Sequence, residues 1–69
     1  MPYETRTDLP NDVQRALSNV PHAQDIYREA FNSAFEQYGG DESRAHRVAW
    51  AAVKRDYEKG DDGKWHPRE

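Results

Sequence analysis

The side chains best suited to catalysis or metal binding are three histidines, a paired aspartate and three serines, and their spacing assembles neither kind of site. His22, His46 and His66 stand in no HxxxH or comparable ligand arrangement, so structural or surface roles are the first reading of each. Asp61-Asp62, with Glu58 one turn earlier, could attract a divalent cation weakly. They lack the alternating oxygen donors of a calcium loop, and a solvated turn fits them better. Ser18, Ser33 and Ser43 sit in polar contexts without a glycine elbow. Gly39-Gly40 and Gly60…Gly63 make no phosphate-cradling loop. The expectation is a protein without catalytic residues, bound metal or cofactor, hence no enzyme.

Charge is organised more clearly. On a helical wheel Asp25, Glu29 and Glu36 fall within about 40° of one another, and Arg44, Arg47, Lys54 and Arg55 within about 100°, with Glu58 among them. One helix thus carries an acidic row and the next a mostly basic row. Both are first of all ordinary solvated faces. Read functionally, the basic row meets phosphates or an acidic partner, and the acidic row is a second contact surface. With a net charge of −3 the chain as a whole is not an electrostatic match for nucleic acid, so any such binding must be local. Asp56 lies on the wheel among Ala45, Ala49 and Ala52, in the apolar arc. A carboxylate buried there needs partners. It reads as a tether to the backbone or to a cation from residues 1–8 or 64–66, with a ligand or metal role as the alternative.

These rows must be held by helices, and the helix signals are strong. Pro10 reads as the first residue of a short helix over 10–17, with Val13, Ala16 and Leu17 on one side. Ser18-Asn19-Val20-Pro21 breaks it, and Pro21 opens a second helix by the same logic. There Ala23, Ile26, Tyr27, Ala30, Phe31, Ala34, Phe35 and Tyr38 follow steps of three and one, an arc of roughly 180° facing a core. Gly39-Gly40 ends that helix, and Asp41 caps a third expected from about 42 to 59, with Gly60 as its stop. Its apolar set is Ala45, Val48, Ala49, Trp50, Ala52, Val53 and Tyr57, with alanines early, where a neighbouring helix can approach closely. Lys64-Trp65-His66 reads as a short strand, paired with a strand at residues 3–6, which would bring Tyr3 and Trp65 together. The expected core is Leu17, Ile26, Phe31, Phe35, Trp50 and Val53.

A chain of 69 residues is a single domain, here 1–69, and buries only roughly 60% of its unfolded surface, so its stability is marginal. No cysteine is present to staple it. No apolar run approaches the ~20 residues of a membrane span, and Met1-Pro2-Tyr3-Glu4-Thr5-Arg6 lacks the order of a signal peptide, so a cytoplasmic protein without membrane insertion is expected.

The whole chain resembles the ChaB family of small bacterial and viral proteins. The matching pieces are Pro2-Tyr3, Asp8-Leu9-Pro10, His22-Ala23-Gln24-Asp25-Ile26-Tyr27, Glu29-Ala30-Phe31-Asn32-Ser33-Ala34, Ala45-His46, Val48-Ala49-Trp50-Ala51-Ala52-Val53-Lys54, Tyr57, Lys59-Gly60-Asp61-Asp62 and Lys64-Trp65. The resemblance implies a mainly α fold, three helices packed with a small two- or three-stranded terminal sheet. It also implies a regulatory role in cation transport, with the cytoplasmic surface of a cation antiporter as partner. Some relatives are linked instead to DNA. The chain departs from relatives with a longer charged loop between the second and third helices, having only Gly39-Gly40-Asp41-Glu42-Ser43 there, so a cation role tied to that loop does not carry over. The expectation is therefore a non-enzymatic regulatory or interaction module with a protein partner. The alternative is a nucleic-acid-binding accessory protein using Arg44, Arg47, Lys54 and Arg55.

Overall fold

A computed structural model describes residues 3–68, with Arg6 described by its backbone alone. In order come a 3-10 turn at Arg6–Asp8, helices α1 (Asn11–Ala16), α2 (Pro21–Gln37) and α3 (Glu42–Asp56), and a hairpin of β1 (Tyr57–Lys59) and β2 (Trp65–Pro67). Three helices and a two-stranded antiparallel sheet make a mainly α fold, as expected.

Local signals place the helix ends. Pro21 opens α2 at its first turn. At the other end Gly39 and Gly40 take φ of 66° and 89°. The Gly40 N–H donates to Phe35 O at 2.8 Å and the Gly39 N–H to Glu36 O at 3.4 Å, so the two glycines close the last turn as a Schellman cap. Asp41 then caps α3, its Oδ1 accepting the Arg44 N–H at 3.0 Å. Pro10 sits one place before α1, in extended conformation, and its carbonyl accepts the Gln14 N–H.

Two expectations are corrected. Helix α3 stops at Asp56, not near 59, because Tyr57 turns extended (φ −133°, ψ 156°) and starts a strand. The partner of the C-terminal strand is that segment, with Tyr57 opposite Pro67, Glu58 opposite His66 and Lys59 opposite Trp65. Residues 3–6 form no strand, and residues 1 and 2 lie outside the described residues. Tyr3 goes instead to α2. Its N–H donates to Asn32 Oδ1 at 3.0 Å, its carbonyl accepts from Asn32 Nδ2 at 2.6 Å, and its ring lies 4.6 Å from Phe31. An amide side chain thus takes the place of a strand neighbour.

The core lies between α2 and α3 and is closed by α1 and the hairpin. Leu17, Phe31 and Val53 are buried as expected, while Ile26, Phe35 and Trp50 are half-buried against them. Tyr27 is wholly enclosed, and Leu9 and Val13 complete the α1 side. Ala23 and Ala34 on α2 and Ala45 and Ala49 on α3 are all buried, the small side chains that a close helix pair needs. Trp65 is buried too, but against Trp50 at 5.5 Å rather than beside Tyr3.

Asn32 is the single buried polar residue among those described, and both of its described bonds go to the Tyr3 backbone. Asn32→Ala leaves those two groups without their partner and is expected to lower stability by about 1–3 kcal/mol. Urea unfolding checks this, and an unchanged midpoint would show that the N-terminal segment is held by other contacts.

Candidate functional site

Helix α3 presents Arg44, Arg47, Lys54 and Arg55 to solvent, all exposed. They do not form one uniform patch. The Arg44 guanidinium lies 4.9 Å over the Tyr38 ring. Arg47 borders a groove of about 480 Å³ whose floor is Tyr3, Tyr27 and Phe31 and whose rim includes Glu42 and His46. Lys54 borders a second groove, of about 540 Å³, between Trp50, Trp65, Lys59 and Ala16. Glu58 leaves the row altogether. It stands on β1 rather than on a helix, and its carboxylate is 3.7 Å from Arg68 Nη1. On α2, Glu29 and Glu36 are exposed and Asp25 is half-buried.

Asp56 is corrected: it is exposed, not buried in the apolar arc. It is the last residue of α3, and the chain turns extended at the next one, so the face it shares with Ala45, Ala49 and Ala52 ends there. The role of tether falls on its backbone, whose carbonyl accepts the Arg68 N–H at 2.8 Å.

The histidines are scattered. His22 lies 6.5 Å from the Tyr57 ring. His66 Nε2 approaches Asp62 Oδ1 at 3.2 Å across the hairpin turn. The Lys64 backbone N–H and then His66 hold the Asp62 carboxyl below its ordinary range. His46 Nδ1 and Tyr27 Oη share a 2.7 Å hydrogen bond at the edge of the first groove. Among the described residues, no three His, Asp or Glu side chains are grouped to hold a metal ion.

Aromatic contact is what brings the two grooves together. A row runs from Tyr3 to Phe31 (4.6 Å), to Tyr27 (6.0 Å), to Trp50 (5.4 Å, edge-on) and to Trp65 (5.5 Å, stacked). It floors the first groove and walls the second. Charge periodicity could not reveal Lys59, Trp65 or Tyr3 as neighbours of the α3 cations, because the hairpin and the N-terminal segment supply them. One signal was available: Trp50 and Lys54 are four apart and share a face of α3.

The family model described as ChaB matches residues 9–68. Proteins named "Putative cation transport regulator ChaB" from Escherichia coli K12, Escherichia coli O157:H7 and Shigella flexneri are each 54% identical, over 99% of this chain and 99% of theirs. The alignment runs to 77 positions against 69 residues here, so those relatives carry extra residues. A solution NMR structure carrying the same name superposes with a TM-score of 0.84 at 52% identity, covering 99% of this chain and all of that one.

The buried phenol at the centre of the row predicts a pH effect. Burial, with Tyr3 adding to it, pushes Tyr27 from its ordinary 10.0 up to about 12. The folded state therefore keeps a proton that the unfolded chain gives up. The stability from the neutral phenol is complete below pH 10.0 and is lost as pH rises through about 12. Tyr27→Phe is expected to begin about 1 kcal/mol less stable at neutral pH, for want of the bond to His46, and to lose less stability over the alkaline range. Urea unfolding at a series of alkaline pH values checks this, and parallel pH profiles for the two proteins would contradict it.

Proposed function

The chain belongs to the ChaB family, and on that basis we propose that it is a non-enzymatic regulatory module that acts by binding a protein involved in cation transport. The end-to-end likeness to proteins named as cation transport regulators carries this reading. No helix among the described residues is long and apolar enough to cross a membrane, which suits a regulator that meets a transporter from outside the bilayer. The partner surface we assign is the cytoplasmic face of a cation antiporter, which places this protein in the cytoplasm. The contacts are the exposed cations Arg44, Arg47, Lys54 and Arg55, with Asp25, Glu29 and Glu36 as the second surface. No cofactor enters the scheme.

Physical chemistry favours such a mode of action. Exposed charges add little to the stability of the domain. They matter more in steering and orienting a partner of opposite charge. The nucleic-acid alternative draws no support from the relatives, and α3 offers it four cations of which Arg47 and Lys54 border separate grooves.

Cation flux is the direct test. In a host deleted for this gene, cation uptake into inverted membrane vesicles, where the cytoplasmic face is outermost, is expected to change and to be restored by added protein. Arg47→Glu with Lys54→Glu is expected to keep the fold, since both side chains are exposed, and to lose the restoration. Equal fluxes with and without the protein would reject the regulatory role. Binding of labelled duplex DNA at low salt, with affinity falling by a log–log slope of about 0.9 per phosphate contact, would favour the alternative.

A further inference from the structure

We propose that the groove between α3 and the hairpin is a docking site for an acidic peptide segment that presents an apolar side chain between carboxylates. The inference rests on the reading that this protein works by binding another protein, and it names what that partner must offer.

Two independent geometries build the groove. On α3, Trp50 and Lys54 are one turn apart and share a face. On the hairpin, Lys59 and Trp65 are register partners, so their side chains leave the sheet on the same side. Stacking of Trp50 on Trp65, with 27° between the ring planes, joins the two halves. The Asn19 amide adds a clamp by donating to Trp65 O at 3.0 Å. The result is an indole wall with an ammonium from each half beside it and Ala16 at its edge. At about 540 Å³ it falls within the size range of ligand sites, roughly 300–1,000 Å³.

Charge fixes the occupant. Two lysines line the groove and no carboxylate does. Glu58, next to Lys59, points to the other face of the strand and lies beside Arg68. Among the described residues, neither Lys54 nor Lys59 has a carboxylate within ion-pair distance. A purely apolar occupant would cover two ammoniums without pairing them, at a desolvation cost. A bare anion would leave the tryptophan surface unused, although tryptophan pockets are where interfaces concentrate their binding energy. An acidic segment with an apolar anchor satisfies both. A nucleobase fits poorly, because each indole already gives a face to the other and Trp65 is only 8% exposed. The same recess keeps Trp65 from acting as a membrane anchor.

Both tryptophans of the chain line this groove, so tryptophan emission reports on it. The probe is a synthetic peptide in which leucine is flanked on both sides by aspartates and glutamates. Titration into the wild-type protein is expected to give a saturable blue shift. Lys54→Gln with Lys59→Gln is expected to weaken binding by about tenfold or more at unchanged far-ultraviolet circular dichroism, and so is a glutamine-for-glutamate peptide. Absence of a saturable change up to about 1 mM, the weak end of specific association, overturns the proposal. So does equal affinity for the double variant, or tighter binding of a single-stranded oligonucleotide or of phosphatidylglycerol vesicles. Normal control of cation flux without peptide binding overturns the groove alone. Peptide binding by a protein without effect on flux overturns the regulatory role alone.

Discussion

The edge-on contact between Tyr27 and Trp50, 5.4 Å between ring centres, is where the two long helices meet and where the rest of the molecule is hung. Tyr27 lies wholly inside and hands the row on to Phe31 and Tyr3. Trp50 is half-buried and hands it on to Trp65. In this way one line of rings ties the N-terminal segment, α2, α3 and the hairpin together. Each such pair is worth about 0.5–1.5 kcal/mol beyond its buried area. For a chain of 69 residues without a disulfide, that is a large share of a small total. A three-residue strand pair would not persist by itself, and it forms here because Trp65 has Trp50 to lie on.

What was legible in the sequence was what local chemistry decides. Pro21, the Gly39-Gly40 pair and Asp41 set the ends of α2 and the start of α3, since caps and breakers act within a turn of themselves. Steps of three and one marked the buried face of α2 for the same reason. The end of α3 was not legible. Tyr57 sits four residues after Val53, so helix and strand both point it at the core, and only pairing with 65–67 decides between them. Asp56 was misplaced because a wheel gives the side of a helix and not how far along it the core extends. The Asn32–Tyr3 pair was invisible because it joins residues 29 apart, and an asparagine inside an apolar arc does not announce a partner. The basic row was visible as a row. That Arg47 and Lys54 border different grooves depends on the N-terminal segment and the hairpin, which the wheel does not contain.

The same economy bears on function. The two grooves described are open troughs left where short segments cross the helix pair. With rings below and charges at the rim, such troughs carry the side-chain types that interfaces use. The chain belongs to the ChaB family, whose relatives are named for cation transport, and the function proposed above takes its setting from that name. Because the aromatic row forms the floor of one groove and the wall of the other, the proposed binding and the folding stability draw on the same contacts.

A double-mutant cycle on Tyr27→Leu and Trp50→Leu, read by urea unfolding, tests this most directly. If the ring contact organises the fold, the two single losses are non-additive, with a coupling of about 0.5–1.5 kcal/mol. Losses that add to within about 0.3 kcal/mol would mean that the two rings merely fill space, and that something else joins the helices and holds the hairpin.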